Sequence, residues 1–97
     1  MALKIVWTHQ AKRGLQVVLE YLEREWTRKE ILKLENNLQT LLSQIIKNPE
    51  LYPNSITNPT LFKALIDKNN YLVYRVQKKE NIIQVISFRG TKQYPLH

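Results

Sequence analysis

The sequence predicts an α+β fold of order β-α-α-β-β-β, an antiparallel sheet with an N-terminal helical hairpin packed on one face. Three observations predict it. The last third holds three strand-length runs, LFKALI from Leu61, YLVYRV from Tyr71 and IIQVISF from Ile82, each rich in β-branched or aromatic residues. The gaps between them, DKNN and QKKEN, are polar enough to be hairpin turns, so the three runs form a meander. The first half instead repeats apolar residues at spacings of three and four in two successive stretches, the period of amphipathic helices. At 97 residues one domain, 1–97, is expected, and so small a sheet needs helices over one face.

Leu3 to Trp7 alternates Leu3, Ile5 and Trp7 against Lys4 and Val6, a short strand by period. From Thr8, a suitable N-cap, the stripe Ala11, Leu15, Val18, Leu19, Leu22 and Trp26 marks a helix to about Arg24, which Gly14 weakens slightly. Thr27 with Glu30 has the spacing of a capping box and opens a second helix. Its stripe is Ile31, Leu34, Leu38, Leu41, Leu42, Ile45 and Ile46. It must stop near Asn48, because Pro49 disfavours helical geometry in the residue before it. Asn48 to Thr60 holds three of the four prolines among turn formers and reads as an ordered loop anchored by Leu51, Tyr52 and Ile56. In the meander, alternation puts Leu72, Tyr74 and Val76 on the face toward the helices and Tyr71, Val73 and Arg75 on the open face.

Charge is uneven along this scaffold. From Leu61 onward seven Lys or Arg stand against Asp67 and Glu80, a net +5, while the first sixty residues carry only +2 of the total +7. A polyanion, either nucleic acid or an acidic protein, is a natural partner for the sheet and the tail RGTKQYP. The chain has no Cys, which removes disulfides, thiolate chemistry and Cys-based zinc sites and fits a reducing cytoplasm. No apolar run reaches the roughly 18 residues of a membrane span, and MALKIVW is too short and too quickly polar for a signal peptide. The expected location is cytoplasmic, with no membrane partner.

Most catalytic signatures are missing. His9 and His97 stand alone and read as solvated, no Ser-His-Asp or Cys-His set can be drawn, and Gly14 and Gly90 make no phosphate loop. The helix acids Glu20, Glu23, Glu25, Glu30 and Glu35 alternate with Lys and Arg, as on a solvated helix face. No metal or cofactor is expected. What remains is Lys63, Arg75, Arg89, Lys92, Tyr71 and Tyr94, on and beside the sheet. Cations can hold a phosphate and stabilise charge developing on it, and tyrosine can stack on a base or give a proton. Such a metal-free set suffices for RNA cleavage by the 2'-hydroxyl, and it equally describes an ordinary basic surface.

Taken in order, the parts resemble the RelE/ParE toxin superfamily of bacterial type II toxin-antitoxin systems. IVWTHQAKRGLQVVLEYL is similar to the family's opening strand and first helix, and IIKNPELYP to its "nP-x-x-g" stop after helix two. NYLVYRV and ISFRGTKQYP are similar to its paired strands and "tRqnP" ending, so the resemblance covers nearly the whole chain. It implies a toxin neutralised by a cognate antitoxin whose extended, acidic segment wraps it, with operator DNA contacted only through that antitoxin. It also implies one of two targets. RelE-like members cut ribosome-associated mRNA without metal, whereas ParE-like members poison DNA gyrase and lack the nuclease residues.

The resemblance makes Lys63, Arg75, Arg89, Lys92 and Tyr94 the candidate catalytic set, and Tyr71, Arg75, Arg89 and Lys92 the candidate contacts to nucleic acid or antitoxin. Aligning YLVYRV with the family's "YRLVYQV" puts Tyr71 where RelE-like nucleases carry a catalytic arginine, so Arg75 on the same face would have to replace it. Lys92 falls at the C-terminal arginine of "tRqnP", where lysine neutralises phosphate without the bidentate geometry of arginine. Tyr94 falls near the family's terminal tyrosine, next to Pro95. The long helices are ParE-like. Three readings follow: a ribosome-dependent endoribonuclease, a non-catalytic gyrase-binding toxin, or an inactive basic domain serving as antitoxin partner and co-repressor. The exposed sheet edge permits a homodimer without requiring it.

Overall fold

The computed structural model describes residues 3–90 and has the element order β1 (Lys4–Trp7), α1 (His9–Glu25), α2 (Arg28–Lys47), β2 (Phe62–Asp67), β3 (Asn70–Gln77) and β4 (Ile82–Gly90). The family-like α+β arrangement is present, and the sheet is mixed. Its order is β1-β4-β3-β2, with the predicted antiparallel meander formed by β2, β3 and β4. β1 adds to the far side of β4 in parallel, pairing Lys4 with Ile82 and Trp7 with Val85. Its direction follows from the hairpin: α1 and α2 carry the chain out and back over the sheet, leaving β1 alongside β4.

The helical stripes build the core. Ala11 and Val18 of α1 and Leu34, Leu38, Leu41 and Ile45 of α2 are buried against Ala64, Leu72, Tyr74, Ile83, Val85 and Phe88. Each full burial of a side chain of this size is worth about 1.5–3 kcal/mol, so this one layer holds both helices on one face. Trp26, placed on the stripe by spacing, instead ends α1 as its C-cap and is 56% exposed. Thr8 caps α1 as expected, accepting the Ala11 N–H at 3.1 Å. The Thr27–Glu30 capping box does not form. The Thr27 side chain accepts no bond, and the Glu30 N–H goes to the Thr27 carbonyl at 3.1 Å instead.

Gly14 has a different role from helix weakener. A Cβ there would overlap the Phe88 carbonyl oxygen, so glycine lets α1 lie directly on the β4 backbone. The loop before β2 is anchored by Tyr52 alone of the three expected residues. Tyr52 donates to Gln44 Oε1 at 3.1 Å and meets the Tyr74 ring edge-on, whereas Leu51 and Ile56 are exposed. The loop backbone does the rest: the Lys63 N–H donates to the Pro53 carbonyl and Asn54 bridges to Phe62, which covers the start of the β2 edge. Beneath it the Tyr74 hydroxyl donates to the Pro49 carbonyl at 2.6 Å and fixes the end of α2 to the sheet.

Both meander turns form where the polar gaps lie. Asp67 Oδ1 accepts the Asn69 N–H at 2.7 Å and an Asn70 side-chain N–H at 3.1 Å. Beyond β3 a single 3₁₀ turn, Lys78–Glu80, ends on Asn81, whose φ of 55° is left-handed, a conformation that Asn tolerates better than most residues.

Candidate cationic sheet face

The strand alternation read from the sequence holds in β3. Leu72 and Tyr74 are buried under the helices, while Tyr71, Val73 and Arg75 lie on the open face. In β2, Lys63 pairs with Val73 and Leu65 with Tyr71, so both share that face. β4 requires a break in alternation. Tyr74 pairs with Val85 but Val73 pairs with Ser87, leaving Ile86 as the extra residue of a β-bulge. Before the bulge Ile83 and Val85 face the core. After it Phe88 faces the core and Arg89 emerges on the open side, opposite Tyr71.

Lys63, Tyr71 and Arg89 therefore stand on three adjoining strands. The Lys63 ammonium sits 4.3 Å from the centre of the Tyr71 ring, a cation–π contact that keeps the charge over the half-buried ring. Arg89 is exposed on the ring's other side. Arg75 is not part of this group. It lies four residues along β3, about 13 Å away at strand spacing. Its Nε and Nη2 both donate to Gln84 Oε1, at 3.1 and 2.9 Å. Gln84, which the sequence did not single out, thus decides where Arg75 points. Lys92 and Tyr94 lie outside the described residues.

This face offers two cations around an aromatic ring, suited to phosphate or carboxylate and to a planar group over Tyr71. Among the described residues no group of three or more His, Asp or Glu side chains comes together. An open cleft of about 750 Å³ lies elsewhere, between the Glu50–Thr60 loop and the β3–β4 turn, with the Glu50–Lys78 ion pair at 3.3 Å beside it. None of Lys63, Tyr71, Arg75 and Arg89 lines it. No helix among the described residues is long and apolar enough to cross a membrane.

Solved structures repeat this architecture. The YoeB/ParE toxin from Agrobacterium tumefaciens is 18% identical with a TM-score of 0.67, covering 93% of this chain and 100% of its own. The chromosomal ParDE toxin-antitoxin system of P. aeruginosa gives a TM-score of 0.75 at 13% identity over 94% of this chain and 98% of that one. The intact E. coli RelBE toxin-antitoxin complex gives 0.63 at 18% over 95% and 100%. No curated protein sequence matches. At such identities the structures establish the fold, and the sequence itself decides the family, because the family model for the ParE toxin of the type II toxin-antitoxin system parDE matches residues 5–95. With the helical hairpin, the meander and all of β1 but Lys4 inside that match, the chain belongs to the ParE toxins of the RelE/ParE superfamily.

Proposed function

We propose that this toxin acts by binding and not by cutting RNA, with DNA gyrase as its target in the cytoplasm and a cognate antitoxin as the competing partner. The observation that carries this reading is the centre of the open face. A tyrosine stands there, Lys63 rests over its ring, and Arg75 is turned onto Gln84 about 13 Å away. The resemblance puts the catalytic arginine of RelE-like nucleases where Tyr71 stands, and a tyrosine ring cannot hold the scissile phosphate as that cation would. The ParE family match supports the same choice. The antitoxin follows from the family and from charge: an acidic, extended segment that orders on binding would cover the Lys63 and Arg89 side of the sheet. Operator DNA would be reached only through that antitoxin.

The test is induction of the toxin without antitoxin, with growth, mapped mRNA 5' ends and DNA-damage response followed in one culture, and supercoiling by purified gyrase assayed beside it. Arrest with a damage response, intact mRNA and inhibited gyrase is expected. Codon-phased mRNA cuts with unaffected gyrase would overturn the reading in favour of ribosome-dependent cleavage through Lys63, Arg89, Lys92 and Tyr94. Unchanged growth would leave the chain as an antitoxin partner and co-repressor.

A further inference from the structure

Arg89 reaches the open face only because Ile86 is extra. In a regular strand, residues 83, 85, 87 and 89 would share one side, and Ile83 and Val85 are wholly buried under the helices. Arg89 would then point into the core and Phe88 into solvent. The bulge reverses this, and one residue from outside the sheet is fastened to it. The Thr8 hydroxyl donates to the Ile86 carbonyl at 2.9 Å, and the Thr8 N–H donates to the Val85 carbonyl at 3.0 Å. The same hydroxyl oxygen accepts the Ala11 N–H, so the cap of α1 and the bulge of β4 share a single side chain. Two turns further on, Gly14 brings α1 down onto the Phe88 carbonyl, beyond the bulge. The first half of α1 thus grips β4 on both sides of Ile86.

We propose that Thr8 is a positioning residue for the cationic face: its bond to the Ile86 carbonyl holds the bulge in the frame that sets Arg89 beside Tyr71. This rests on the binding function proposed above, with the open face taken as the surface through which the toxin engages its target. Bulges next to functional sites re-aim side chains, and here the device doing so is a helix cap. The two bonds of the Thr8 hydroxyl can be separated chemically. Thr8→Ser keeps both. Thr8→Asp keeps the capping acceptor, since Asp caps as well as Thr or better, but a carboxylate has no proton to donate to a carbonyl.

The experiment compares the full-length wild type, Thr8→Ser and Thr8→Asp by NMR, reading the cross-strand contacts Tyr71–Arg89 and Leu72–Phe88, with growth inhibition on induction measured for the same variants. Thermal unfolding checks that the Asp variant folds, as its intact cap predicts. The expected result is wild-type contacts and toxicity for Thr8→Ser. Thr8→Asp should lose those contacts or show a second register, and toxicity should fall about tenfold, the factor to which one such hydrogen bond converts. A folded Thr8→Asp variant that keeps both contacts at full intensity overturns the proposal. Lost contacts with full toxicity would leave Thr8 as the holder of the frame and sink the reading of the open face as the working surface.

Discussion

At the Tyr71 end of the open face two cations flank an aromatic ring on adjoining strands, whereas at the Arg75 end one guanidinium is forked onto one amide oxygen. The faces and charges are alike, and the difference lies in what holds them. Lys63 and Arg89 have no hydrogen bond or ion pair to another side chain among the described residues, so an incoming anion breaks no such bond, and Lys63 gives up at most its contact with the Tyr71 ring. Arg75 must first leave Gln84, or bind with its remaining N–H groups. Availability, more than proximity on the sheet, separates a binding cation from a structural one.

The largest effect is expected at Arg89. Arg89→Glu places an acid beside Tyr71 and is expected to cost on the order of 3 kcal/mol of target binding through this face, roughly a hundredfold in growth inhibition on induction without antitoxin, with unfolding little changed. Wild-type toxicity in that variant would make the two ends equivalent. Next is Gly14→Ala. Alanine favours a helix by about 1 kcal/mol, but its Cβ meets a backbone oxygen that cannot rotate away, so a net loss of ~2 kcal/mol is expected in urea unfolding. Because the strain falls on Phe88, the contact between strands at Tyr71 and Arg89 should weaken before the Arg75 end does.

A smaller effect belongs to the core under the Arg75 end. Burial, with Tyr52 and Glu50 adding to it, pushes the Tyr74 hydroxyl above the usual tyrosine range, and its bond to Pro49 also favours the neutral form. That stabilisation is complete below about pH 10, where unfolded tyrosine keeps its proton, and is lost as pH rises further. Tyr74→Phe should lose ~1 kcal/mol at neutral pH, and its stability should fall less steeply than the wild type's between pH 9 and 11 in parallel unfolding titrations. Smallest is Arg75→Ala. Its bonds to Gln84 are exposed, so less than about 0.5 kcal/mol of stability and under twofold in toxicity should change. A large loss of toxicity would return Arg75 to the binding set.

Periodicity carried the helices and the two faces of β3 because each uses one clean spacing. It failed in β4 for a physical reason: IIQVISF is apolar at both parities, so neither frame is disfavoured and a one-residue bulge leaves no mark in the string. Charge and resemblance single out Arg89, while the bulge that presents it leaves no trace in the sequence. Thr8 was readable as a cap, but its second bond depends on Ile86, 78 residues later. Thr27 shows the converse, a capping motif by spacing whose side chain makes no cap. Leu51 and Ile56 read as anchors because they are apolar. The loop is held instead by its own backbone along β2, which no composition signals.

The parallel seat of β1 beside β4 has a consequence for synthesis. Lys4–Trp7 is made before both helices, β2 and β3, whereas β4, its strand neighbour among the described residues, follows all of them, so that pairing closes a long loop. The helical hairpin can form locally as it emerges, but Ile5 and Trp7 must wait for Ile83 and Val85. A nascent chain stalled anywhere before Ile82 would therefore carry a free strand edge and an uncovered apolar helix face. Such a chain exposes apolar surface and calls for chaperones or proteolysis until β4 arrives.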